Sequence, residues 1–181
     1  MAGTGTRSRE GVGSVAFRHA VPDDARAIAE VHVASWRWAY RGQLADATLD
    51  ALDVAEREVR WGGAIADPAT IVIVAVDDDS IVGFVSAGPT RDDDAPSSSG
   101  ELGAIYLEER VVGRGVGRGL LERAVEGMRS AGFTMASLWV LDSNERARRF
   151  YERAGWVWDG THSSHQVQCS NLPIVRYARD L

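Results

Sequence analysis

A chain of 181 residues with 26 acidic and 20 basic side chains, and hence a net charge of -6, lacks the basic balance of a nucleic-acid-binding surface. Its 45% hydrophobic and 25% charged residues suit one soluble domain with a continuous core, and no apolar run is long enough to cross a bilayer, so neither nucleic acid nor membrane is expected as a partner. A single cysteine, Cys169, excludes an internal disulfide and reads as a packing residue, and no Cys/His cluster has metal-ligand spacing, so no metal is expected.

Residues 1–14 are rich in Gly, Ser, Thr and Arg and lack the apolar stretch of a secretion signal. They are expected to be a disordered tail before one domain at 15–181, and the protein is expected to be cytoplasmic. All twenty basic residues are arginine, which leaves no lysine side chain to acetylate.

Val15 to His19 is a strand candidate, and Pro22-Asp23-Asp24 suits the first turn of a helix reaching about Tyr40, with Ile28, Val31, Ser35 and Trp38 near one face. A second helix is expected from about Ala47 to Ala64, because Leu49, Leu52, Ala55 and Val59 recur at helical intervals. Thr70 to Val76 and Ile81 to Ala87 are apolar runs around a polar turn, which predicts a hairpin. Pro89 to Gly100 holds Asp92-Asp93-Asp94 and Ser97-Ser98-Ser99 and reads as a solvated connector, whose acids would mildly favour a cationic ligand.

Glu101 to Leu107 is the next strand, and the helix after it carries Val116, Leu120, Leu121, Ala124, Val125 and Met128 along one side before Gly132. Met135 to Leu141 is a buried strand, and Ser143 or Asn144 can cap a helix ending at Gly155. Trp156 to Asp159 and Ile174 to Ala178 are the last strands, joined by a polar segment containing His162 and His165. Strand, crossover helix and strand between Glu101 and Leu141 predict a parallel pair, within a mixed α/β fold whose sheet is partly antiparallel.

The loop Gly113-Arg114-Gly115-Val116-Gly117 sits where the first of those two helices begins. Its glycines let successive N–H groups point at an anion, the helix adds the positive end of its dipole, and Arg114 and Arg118 add full charges. A pyrophosphate fits these features. The glycines alternate, so G-x-G-x-x-G is absent, and without lysine no nucleotide-triphosphate P-loop can form; a nucleotide-binding module is therefore a weak reading.

Val112 to Gly117 resembles the Gln/Arg-x-x-Gly-x-Gly/Ala segment of the GCN5-related N-acetyltransferases (GNAT), matching its glycines but not its first residue. The run from Asp142 to Trp156 is similar to that family's Asn-x-x-Ala-x-x-x-Tyr-x-x-x-Gly-Phe segment, through Asn144, Ala147, Tyr151 and Gly155. The resemblance implies the family's acyl-CoA N-acyltransferase fold, with a central sheet of six to seven strands flanked by helices. It also implies direct transfer, in a ternary complex, of an acetyl group from acetyl-CoA to a primary amine of a small molecule or peptide.

On the same resemblance, Val112, Gly113, Arg114, Gly115, Val116, Gly117 and Arg118 would hold the pyrophosphate. Backbone groups of Ile105, Tyr106 and Leu107 would bond the pantetheine arm, with the N–H near Leu107 facing the thioester. Asn144 would contact that arm, Tyr151 would be the general acid, and Glu101 the base, directly or through water. Trp36 and Tyr40, within Ser35-Trp36-Arg37-Trp38-Ala39-Tyr40, would wall the acceptor pocket.

Read without the family, Tyr151 lies two helical turns beyond Asn144 and on the same face, but packing beside Phe150 explains it as well. An N-cap alone accounts for Asn144, and a surface position for Glu101. His19, His32, His162 and His165 are weaker candidates for the base. Val112 replaces the family's Gln or Arg, and Glu109 stands where proline is common, so the alternative is a non-catalytic acyl-CoA-binding or regulatory domain. Exposed edge strands make a homodimer plausible.

Overall fold

Strands apolar on both sides demand cover on both faces of a sheet. The computed structural model, which describes residues 15–42, 44–167 and 170–181, shows that cover. In chain order come β1 (Ala16–His19), α1 (Ala25–Ala39), α2 (Asp46–Asp50), α3 (Val54–Ala66), β2 (Ile71–Asp77), β3 (Ser80–Pro89) and β4 (Ser99–Leu107). Then follow α4 (Val116–Ser130), β5 (Met135–Leu141), α5 (Glu145–Arg153), β6 (Val157–Val167) and β7 (Ser170–Asp180). Among the described residues the sheet has seven strands in the order β1-β2-β3-β4-β5-β7-β6, and only the β4/β5 pair is parallel. This is the mixed α/β arrangement expected.

One face of the sheet takes α4, whose Leu120, Leu121, Ala124 and Met128 pack with Ile73, Val85, Leu138 and Trp156. The other takes α1 and α3, whose Ile28, Val31 and Trp61 pack with Val72, Val74 and Phe84. Full burial of each large apolar side chain stabilises by about 1.5–3 kcal/mol, so both faces contribute strongly.

The feature that makes a site is where β4 and β5 part. Their pairing runs from Ser99 opposite Met135 to Leu102 opposite Leu138 and stops. Beyond it, β4 bulges at Gly103 and follows β3 to Leu107, while β5 follows β7 to Leu141. From Gly103 onward the edge of β4 that faced β5 has no strand partner.

Three expectations change. The helix expected over Ala47 to Ala64 is two helices, because the Asp53 side chain accepts the Ala55 N–H at 2.8 Å and starts α3 afresh. The break lets Leu49 and Leu52 enter a small core with Val33 and Tyr40 while Trp61 enters the larger one. The polar segment expected to join the last two strands is itself strand, since β6 and β7 pair continuously from His162 opposite Val175 to Val167 opposite Ser170. Backbone pairing needs no apolar side chains there, and Gly160, with φ of +89°, absorbs the shift in register. The connector is not solvated chain either: Asp92 accepts from Trp139 Nε1 at 2.9 Å, and Arg176 clamps both Asp92 and Asp94. Cys169 and the tail at 1–14 lie outside the described residues.

Candidate active site

The gap between β4 and β5 opens into a cleft of about 1250 Å³, ample for an extended ligand and a second small one. Its floor at one end is the glycine loop. Gly113 and Gly115 take φ of +82° and +87°, a region that costs a residue with a Cβ about 1–2 kcal/mol. The first amide of α4 to find a backbone partner is that of Gly119, on the Gly115 carbonyl at 3.0 Å. The N–H groups of Val116, Gly117 and Arg118 precede it unpaired, at the positive end of the helix. Val112, Gly113, Gly115, Gly117 and Arg118 line the cleft, whereas Val116 anchors the loop in the core and Arg114 lies exposed beside it. Arg118 shares its charge with Glu122 at 2.7 Å.

Ile105, Tyr106 and Leu107 line the free edge of β4. Across the gap, Asn144 Oδ1 accepts the Ala147 N–H at 3.1 Å, and its Nδ2 donates to the Tyr40 hydroxyl at 3.5 Å. Asn144 is thus an N-cap and a lining residue together. Tyr151 packs edge-on to Phe150 and Trp156, yet lines the cleft, and its hydroxyl has no hydrogen-bond partner among the described residues. Burial, with smaller effects from the neighbouring Tyr106 and Tyr40 phenols, pushes its pKa above the usual tyrosine value, so it stays protonated at neutral pH.

Glu101 is 4% exposed and lines the cleft. Its carboxylate accepts from the Arg91 backbone N–H at 3.0 Å, from Nε at 3.1 Å, and from Nη2. A surface carboxylate is therefore not what the fold builds here. Trp36 and Tyr40 meet edge to face at 4.9 Å and wall the cleft from α1, and Arg146 of α5 sits over the Trp38 ring at 4.8 Å.

The histidines separate by position. His19 and His162 are exposed and away from the cleft, and His165 on β6 lines it. His165 is held below its usual pKa by burial first and then by Arg60, Arg91 and Arg57. His32 is buried, accepts from Trp61 Nε1 on its Nδ1 at 3.1 Å, and stacks on Tyr106 at 4.6 Å. That bond leaves the ring proton on Nε2.

Burial, then Arg57 and Arg60, bring His32 down from 6.5 to about 3. Between those values the unfolded chain binds a proton that the native ring refuses, so stability falls as pH falls. From pH 7 to 5 this amounts to about 2 kcal/mol. Urea unfolding of His32→Gln, which retains an acceptor for Trp61, should lose less stability by about that amount over the same interval. Equal losses in the two proteins would show that His32 is not the responsible group.

The family model described as the acetyltransferase (GNAT) family matches residues 25–156. This chain belongs to the GNAT family. An uncharacterized N-acetyltransferase of Bacillus subtilis (strain 168) is 37% identical over 131 residues, covering 72% of this chain and 73% of that protein. A mycothiol acetyltransferase of Acidimicrobium ferrooxidans is 34% identical over 140 residues, or 76% of this chain and 41% of the longer relative. The fold matches that of the PaiA N-acetyltransferase of Thermoplasma acidophilum, solved with coenzyme A, at a TM-score of 0.75 and 20% identity over 93% of this chain and 99% of that one.

Within this GNAT cleft, sequence reasoning missed Arg91, Trp139, Arg153 and His165. Arg153 follows Tyr151 by two residues in a run matched to the family and could have been noticed as a cation beside the loop. Arg91 and His165 come from a connector and a hairpin whose courses depend on long-range contacts. No helix of the described residues is long and apolar enough to cross a membrane.

Proposed function

We propose that this GNAT chain transfers an acetyl group directly from acetyl-CoA to a primary amine of a small molecule or peptide, with both bound together. The observation that carries the reading is the continuity of one cleft: unpaired N–H groups of α4 at one end, the unpartnered edge of β4 along it, and the free Tyr151 hydroxyl beside it. The residues present fit the co-substrate. Val112 to Arg118 would take the pyrophosphate, Ile105 to Leu107 and Asn144 the pantetheine arm, and Trp36 and Tyr40 the acceptor.

In this reading the amine nitrogen attacks the thioester carbon and the carbon–sulfur bond breaks. The backbone N–H near Leu107 stabilises the oxyanion between those events. Tyr151 gives its proton to the departing thiolate, and the proton lost by the attacking ammonium passes to Glu101 through water. The high pKa of Tyr151 does not bar this role, because the thiolate leaves into the same poorly hydrated cleft and is made more basic too.

Thermal unfolding with CoA, acetyl-CoA and ATP tests the reading. At 100 times its dissociation constant a ligand stabilises by about 2.7 kcal/mol, which for a domain of this size is roughly 5–10 °C. CoA and acetyl-CoA should produce that shift and ATP should not; no shift with CoA at millimolar concentration would sink the proposal. Val112, lining the cleft where the family carries Gln or Arg, is the one observation favouring a non-catalytic acyl-CoA-binding domain. Binding of acetyl-CoA without thiol release for any amine would make that the better reading.

A further inference from the structure

Arg57 and Arg60 lie three positions apart on α3 and so share a face of it. Neither forms a salt bridge among the described residues, because the acids beside them are committed elsewhere: Glu58 bonds Arg26 at 3.1 Å and Asp53 caps the helix. Arg57 is half-buried, and its Nε is buried without a hydrogen bond. A guanidinium taken from water without a counter-charge is costly, so a fold that keeps one there has a use for an anion.

Both arginines stand behind the acceptor end of the cleft. Helix α3 packs on α1, Trp61 bonds His32, and His32 stacks on Tyr106, which lines the cleft. From β6, His165 lines the same cleft. The charges of Arg57 and Arg60 reach all three groups: they depress His32 and His165 and oppose the burial that raises Tyr106. Negative groups nearby do not answer them, since Glu101 is taken by Arg91, and Asp92 and Asp94 by Arg176. This reverses the sequence expectation that the acidic connector would draw a cationic acceptor.

We infer that the amine acceptor carries an oxyanion, a carboxylate or a phosphonate, which Arg57 and Arg60 hold beyond Tyr106 while its amine faces the thioester. The inference rests on the transferase reading proposed above. Two guanidiniums suit such a group because each can offer paired N–H donors, and together they repel a second amine on the same molecule.

The test uses unbranched amino acids with the carboxylate one to five carbons from the amine, their carboxamides, the matching aminophosphonates, and 1,4-diaminobutane. In the full-length protein kcat/KM should favour an anionic acceptor over its carboxamide by tenfold or more. Arg57→Gln and Arg60→Gln should each reduce that preference by about 10- to 100-fold while CoA still binds. Because Arg57 has no partner to lose, Arg57→Gln should not lower the melting temperature of the free protein, whereas an arginine with a structural role would. The better of the carboxylate and phosphonate arms identifies the oxyanion. Equal use of acids and carboxamides, a preference for the diamine, or a preference surviving the double variant would overturn the assignment.

Should bound acetyl-CoA release no thiol with any amine, the transferase reading falls separately. The arginine assignment is then decided by calorimetric binding of the N-acetyl acids and N-acetyl carboxamides to the CoA-loaded protein. An acid preference abolished in the double variant upholds it, and equal binding of the two, or a preference the double variant retains, overturns it.

Discussion

Tyr151→Phe will lower kcat by about 100-fold or more and leave the dissociation constant of acetyl-CoA within a few-fold, because a positioned general acid contributes about 10²- to 10⁴-fold. The substitution removes one oxygen that lines the cleft and bonds nothing among the described residues. No buried hydrogen bond is broken, and the ring keeps its contacts with Phe150 and Trp156, so stability should hold. Glu101→Gln probes the opposite proton. If Glu101 draws the proton from the incoming ammonium, its amide should move activity to higher pH, where more of the amine is already neutral. Stopped-flow or steady-state rates across pH 6–10 check both variants. A kcat within threefold of the parent removes Tyr151 as the acid, and an unaltered pH profile assigns Glu101 only to holding Arg91 and its connector.

What could be read from the chain, and what could not, follows from how far apart the determinants lie. The Gly113 to Gly117 loop, the Asn144 cap and the seven-residue step to Tyr151 are local, written in turn chemistry and helical repeat, and the structure places them along one cleft. The parallel β4/β5 pair was legible for the same reason, since a crossover helix between two apolar strands permits little else. Arg57 reads in sequence as one more charged position on an exposed helix. Its isolation becomes visible only once Glu58 has gone to Arg26 and α3 has packed on α1. Arg176 is likewise silent in sequence, because it clamps a connector more than eighty positions away. The break between α2 and α3 was missed because a hydrophobic repeat continues through Leu52 while a single capping aspartate ends the helix.

Gly117→Asp should weaken CoA binding by 100-fold or more with little change in the melting temperature of the free protein. Gly117 is the second residue of α4, and a Cβ built there would sit 3.2 Å from Leu107 Cδ1 and 3.7 Å from the Phe150 ring. Its side chain would therefore enter the space between β4 and α5 rather than solvent. Leu107 Cδ1 is the end of a side chain and can give by a few tenths of an ångström, so the fold survives. A carboxylate in the first turn even gains from the helix dipole. The same position is where the pyrophosphate would meet the unpaired amides. Two like charges about 5 Å apart repel by about 3 kcal/mol at an effective dielectric of about 20, which is a factor of about 100 in affinity. Gly117→Ala separates the two effects, having the same Cβ and no charge, and should weaken binding only a few-fold. Calorimetric titration of both variants with CoA decides the matter. If the aspartate binds within threefold of the alanine, the anionic part of the ligand lies elsewhere and the start of α4 has another purpose.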